Sequence, residues 1–131
     1  MRRFLVLSML LGLALAASAP PASAAERHKL VVYFSAWSAD IDDSAGKSID
    51  DAAKWSVEHP RDIVTVAGFA STVGSKRSNA LLSDLRAQVV KDQLVAKGVP
   101  ASRINMLPKG ATTYIDSPLE SRRVEISVNP K

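Results

Sequence analysis

Few side chains in this sequence are equipped for chemistry. It has no Cys and only two His, His28 and His59. Without Cys there is no disulfide framework, no thiolate zinc site, no Cys nucleophile and no lipid-bearing N-terminal Cys. Neither His has a Ser or Asp neighbour spaced as a catalytic triad, and sequence alone cannot assemble one through space. His59 precedes Pro60 at the end of a predicted helix, where a cation favours the terminal carbonyls. No Ser sits in a G-x-S-x-G elbow. Gly46-Lys47-Ser48 resembles the close of a phosphate-binding loop, but Ile41 stands where that pattern needs its first Gly. Asp40, Asp42, Asp43, Asp50 and Asp51 form an acidic stretch that lacks the later ligands of a calcium loop. Acids at a helix start are accounted for by the helix dipole. Trp37 and Trp55 could stack on a sugar face, although burial is the commoner use of Trp. These residues predict no catalytic centre, no metal site and no cofactor.

The elements that would position them follow from pattern. Leu30–Phe34 is β-branched and aromatic and reads as a strand. Ala45, Ile49, Ala52, Ala53 and Ser56 recur at helical spacing, with Asp42, Asp43 or Ser44 available as cap and Pro60 as stop. Residues 62–67 form a second strand, ended by Gly68. A second helix opens at Ser75 or Ser78 and carries Leu81, Leu82, Leu85, Val89, Val90 and Leu94 as its apolar stripe. Lys97-Gly98-Val99-Pro100 ends it with a C′ glycine and a proline. Ile104–Leu107 is a short third strand, residues 108–121 are irregular, and Arg123–Val128 alternates as a half-buried strand does. The order is βαβαββ, an α+β or α/β sandwich with helices against a sheet.

The first residues read as an address. Met1-Arg2-Arg3 precedes an apolar run from Phe4 to Ala17, followed by Ala22-Ser23-Ala24. That is the layout of a secretory signal peptide over residues 1–24, and the run is short for a bilayer span of roughly 20 residues. A flexible N-terminus, residues 25–29, would follow. The whole chain carries 17 Lys+Arg against 13 Asp+Glu. Cleavage after Ala24 removes two Arg, leaving 107 residues with a net charge of +2. Acids and bases are interleaved rather than gathered on one face, which excludes a nucleic-acid footprint. At 47% hydrophobic and 23% charged residues, the chain is not a disordered one. The expectation is an exported protein with no transmembrane segment after signal cleavage.

Three blocks then carry a resemblance: GFASTVGSKRSNALLSDLRAQ (68–88), QLVAKGVPASRI (93–104) and SRRVEISV (121–128). Gly68, Gly74, Asn79, Leu82, Ser83, Arg86 and Ala87, then Leu94, Gly98, Val99, Arg103 and Ile104, then Arg122 to Ile126, match in order. So placed, the chain resembles the OmpA C-terminal-like, peptidoglycan-associating domain family over about residues 30–128. The resemblance implies an α+β, βαβαββ two-layer sandwich with helices packed on one mixed sheet. It also implies a periplasmic, cell-envelope location and non-catalytic association with the diaminopimelate of peptidoglycan stem peptides, with envelope proteins as further partners.

By the same resemblance the ligand carboxylate falls to Arg86, whose planar fork suits it. Asn79, Thr72 and Arg122 complete the ligand-binding set. The family's Asp, which suits the ammonium, maps onto Ser71, so ammonium binding should weaken by about 1–3 kcal/mol. Phe69-Ala70, Ser121 and residues 107–111 also depart from the family pattern. Each of these residues has a structural alternative. Gly68 and Gly74 would serve the backbone, Asn79 would brace the loop, Arg86 would pair with Asp84 or a distant acid, and Arg122 would cover the sheet edge. The competing function is a degenerate domain serving as a periplasmic protein–protein interaction or structural module without wall binding.

Overall fold

Asp42 starts the first helix because its side chain accepts the Ala45 N–H at 2.7 Å, and acid at that end suits the dipole. That helix and its neighbours form the computed structural model, which describes residues 28–111 and 121–131. The elements are β1 (His28–Tyr33), α1 (Asp43–Glu58), β2 (Ile63–Ala70), α2 (Lys76–Ala96), β3 (Ile104–Ala111) and β4 (Arg123–Asn129). The sheet order is β1-β4-β2-β3. The β2–β3 pair is parallel and the two pairs made by β4 are antiparallel. The fold is the expected mixed sheet with both helices against it.

The core lies between sheet and helices. Val32, Val64, Val66, Val124, Ile126 and Val128 point from the strands toward Ile49, Ala52, Val90 and Leu94. In α1 the buried residues are Ala45, Ile49, Ala52, Ala53 and Ser56, the set that the helical spacing predicts. Gly46-Lys47-Ser48 lies in its first turns, as part of the helix. Its far end is tied by Arg103, which donates to the carbonyls of Ser56, His59 and Asp62. There Trp55 is sandwiched between the rings of His28 and His59, 4.4 and 4.2 Å away.

Several boundaries differ from the sequence reading. β1 begins at His28, so His28 and Lys29 belong to the sheet, opposite Val128 and Ser127. The predicted signal peptide and residues 25–27 lie outside the described residues. β2 passes through Gly68 to Ala70. Gly68 is a point of close approach rather than a stop: a Cβ there would lie 2.1 Å from the Ser83 carbonyl oxygen on α2. β3 continues to Ala111, through the start of the stretch read as irregular. Pro108 is tolerated because β3 is an edge strand, and Lys109 is bulged out between Pro108 and Gly110. Residues 112–120 lie outside the described residues.

The largest difference is in α2. Its buried face is Asn79, Ser83, Arg86, Ala87, Val90 and Leu94, while Leu81 and Leu85 are 62% and 51% exposed. The first half of this helix lies against the ends of β2 and β3 and the loops beside them, where main-chain groups rather than apolar side chains meet it. Polar side chains are needed there to satisfy main-chain groups, as Ser83 does by accepting the Gly110 N–H at 2.9 Å.

Candidate functional site

The loops leaving β1 and β2, the residue entering β4 and the first half of α2 converge at one end of the sheet. Ser75 caps α2 by accepting the Ser78 N–H at 3.0 Å. This sets the helix so that Asn79 and Arg86 turn inward, two helical turns apart. The chain between Ser71 and Ser75 is held by Asn79, whose Nδ2 donates to the carbonyls of Val73 (2.8 Å) and Ser75 (3.0 Å).

Arg86 has no exposed surface. Its Nε donates to the Ser38 carbonyl at 2.8 Å, Nη1 to that of Phe69 at 3.2 Å and Nη2 to that of Ser35 at 3.0 Å. The guanidinium also lies 5.2 Å from the centre of the Phe34 ring. Among the described residues no carboxylate pairs with it, so the expected alternative of an Asp84 pair is not formed. Burial, and then the neighbouring Arg122, lower its pKa to about 10, which leaves it charged at neutral pH. Arg122 is half-buried and donates from Nε to the Phe34 carbonyl at 3.1 Å.

These two cations border a cavity of about 160 Å³, together with Ser71 and Asn79. Trp37, Val73, Leu82 and Ala36 form its apolar walls. Four of the five residues expected at the site are therefore brought together. Thr72 is exposed and does not line the cavity. The Ser71 hydroxyl accepts the Val73 N–H at 3.3 Å. Asn79 is the brace its structural alternative describes, and its Oδ1 is buried without a partner among the described residues. Phe69 does not enter the cavity: its ring lies 4.0 Å beneath the Arg123 guanidinium. Arg122 and Arg123 thus serve opposite sides of the sheet, as the alternation of a strand requires.

Trp37 is a wall for which the sequence left both stacking and burial open. It is 58% exposed, and its backbone is left-handed, with φ of 54°. Its ring edge lies against Gly74, where an added Cβ would come 2.6 Å from Cη2. Gly74 itself has φ of +90°. The only signal in the sequence was a large aromatic within a polar loop.

A larger groove of about 790 Å³ lies at the opposite end of the sheet, lined in part by Arg61, Asp62, Arg103 and Lys131. Arg103 is already engaged there with three carbonyls. Among the described residues no His, Asp and Glu gather into a metal-holding group, and no helix is long and apolar enough to cross a membrane.

The OmpA family model matches residues 33–124, which contain every residue lining the two-arginine cavity. The chain belongs to the OmpA family. A peptidoglycan-associated lipoprotein of Agrobacterium fabrum is 33% identical over 103 residues, covering 76% of this chain and 58% of that one. The chain spans about half the length of the curated relatives it matches, between 45% and 58% for the first three. Among solved structures, the peptidoglycan-associated lipoprotein from Burkholderia pseudomallei superposes with a TM-score of 0.70 at 21% identity, over 76% of this chain and 90% of that one. The OmpA-like domain of FopA1 from Francisella tularensis gives 0.68 at 25% identity, over 79% and 73%. This OmpA family domain therefore shares its two-layer fold with them.

Proposed function

We propose that the chain is a non-catalytic periplasmic module that associates with peptidoglycan, seating a carboxylate of the stem peptide at the two-arginine cavity. The observation that carries this is Arg86, a fully buried guanidinium with no acid beside it among the described residues, next to a second guanidinium in the same small cavity. A buried charge without a counter-charge is costly, and an anion entering there supplies one. Arg122 is the cation the anion reaches first, and Arg86 sets the field beneath it. Relatives named for peptidoglycan association support the ligand class. With Ser71 in place of an acid, diaminopimelate binding is weakened, because a neutral hydroxyl hydrogen-bonds an ammonium without neutralising it.

Sedimentation with purified sacculi tests this reading. The native chain is expected in the pellet, Arg122→Gln in the supernatant, and Ser71→Asp more strongly retained. Arg86→Ala should also lose retention, with circular dichroism checking that it folds. Retention unaffected by any of these substitutions would refute the cavity as the wall site.

A second reading has its own support. Among the described residues, every hydrogen bond Arg86 makes is to a main-chain carbonyl, which is what a purely structural arginine does. On that reading the domain is a periplasmic interaction or structural module whose partners are envelope proteins. A native chain that leaves sacculi untouched would favour it.

A further inference from the structure

The cavity is poorly matched to a zwitterion. Its charged lining consists of Arg86 and Arg122, with no acid among the described residues. An ammonium brought in meets two guanidinium groups, and like charges in a partly desolvated space repel. Ser71 offers only a hydroxyl that already accepts the Val73 N–H.

Among the described residues, the unmet group at the cavity is Asn79 Oδ1. Asn79 is 1% exposed and lines the cavity. Its amide orientation is fixed, because both Nδ2 hydrogens go to carbonyls, of Val73 and Ser75. The buried oxygen is thus left without a donor among the described residues. A neutral acceptor is satisfied by a neutral amide N–H without importing a cation. Around it, Trp37, Val73 and Leu82 present apolar surface. A volume of about 160 Å³ is well below that of sites for drug-sized ligands and suits one small residue.

We propose that the cavity takes the free C-terminus of a peptide ending in a small apolar residue: an N-acylated amino acid carboxylate rather than a diamino acid. Its carboxylate lies at Arg122 above Arg86, its amide N–H meets Asn79 Oδ1, and its side chain packs against Trp37 and Val73. This rests on the wall-binding reading and narrows it to the open end of the stem peptide.

Isothermal titration of the folded chain with N-acetyl-D-alanine, D-alanine and meso-diaminopimelate tests it. The native chain should bind N-acetyl-D-alanine about tenfold or more tightly than either zwitterion. Ser71→Asp should shrink or reverse that preference, because it supplies the missing acid. Arg122→Gln should weaken N-acetyl-D-alanine by about tenfold with unchanged circular dichroism. A native chain that prefers meso-diaminopimelate, that does not separate D-alanine from its acetylated form, or that binds none of the three overturns the inference. If sacculi still retain the native chain in those cases, the wall-binding reading stands and only this narrowing falls. If retention is absent too, both fall.

Discussion

Replacing Arg86 by Met sets two opposing effects against each other. The substitution keeps much of the side-chain volume but removes the donors to the carbonyls of Ser35, Ser38 and Phe69, at 3.0, 2.8 and 3.2 Å. At about 1–1.5 kcal/mol for each orphaned carbonyl, the loss is about 4 kcal/mol. Against it stands relief from burying a cation with no acid partner, worth about 1–2 kcal/mol at the low end for exchanging buried ions for apolar groups. The carbonyls win, and Arg86→Met should destabilise by about 2–3 kcal/mol. That lowers the melting temperature by roughly 10 °C or more for a domain of this size. Arg122→Met orphans one carbonyl, that of Phe34, at a half-buried site, and should cost about 1 kcal/mol or less. Urea denaturation followed by circular dichroism measures both. An Arg86→Met chain as stable as the native one, or more stable, would refute the reasoning, because the guanidinium would then be no brace for the loop that carries Trp37.

Other outcomes follow from single contacts. Gly68→Ala places a Cβ 2.1 Å from the Ser83 carbonyl oxygen, so α2 must move by about 1 Å, and the cost should exceed about 3 kcal/mol in the same denaturation assay. Gly74→Ala combines a left-handed backbone with a Cβ pressed on Trp37; it should cost about 1–2 kcal/mol and alter Trp fluorescence, and an unchanged spectrum would contradict the packing described. Ser75→Ala removes the α2 cap and should cost about 1 kcal/mol, read as a lower urea midpoint with an unchanged slope.

The sequence carried the fold wherever one force dominated. In α1, apolar spacing alone chose the buried residues, and it chose the observed ones. In α2 the same logic put Leu81 and Leu85 inside, where the structure has Ser83 and Arg86. Burial there is decided by main-chain carbonyls of residues 35, 38 and 69 and the amide of residue 110, which no local periodicity can reveal. Gly68 read as a strand end because its local preference is for turns, while its use is clearance for a helix crossing in space. The convergence of Arg86, Asn79, Ser71 and Arg122 was legible only through the order of three sequence blocks. For Trp37 the sequence leaves stacking and burial both open, since nothing local marks an aromatic as the wall of a cavity built from distant segments.

The central claim, that this end of the sheet is where the wall is held, is tested most directly by mapping amide chemical shifts as a soluble peptidoglycan fragment is added. The account predicts perturbations at Trp37, including its indole N–H, and at Ser71, Val73, Asn79 and Arg122. Shifts gathered instead around Arg61, Asp62 and Lys131 at the opposite groove, or no shifts at all, would contradict it.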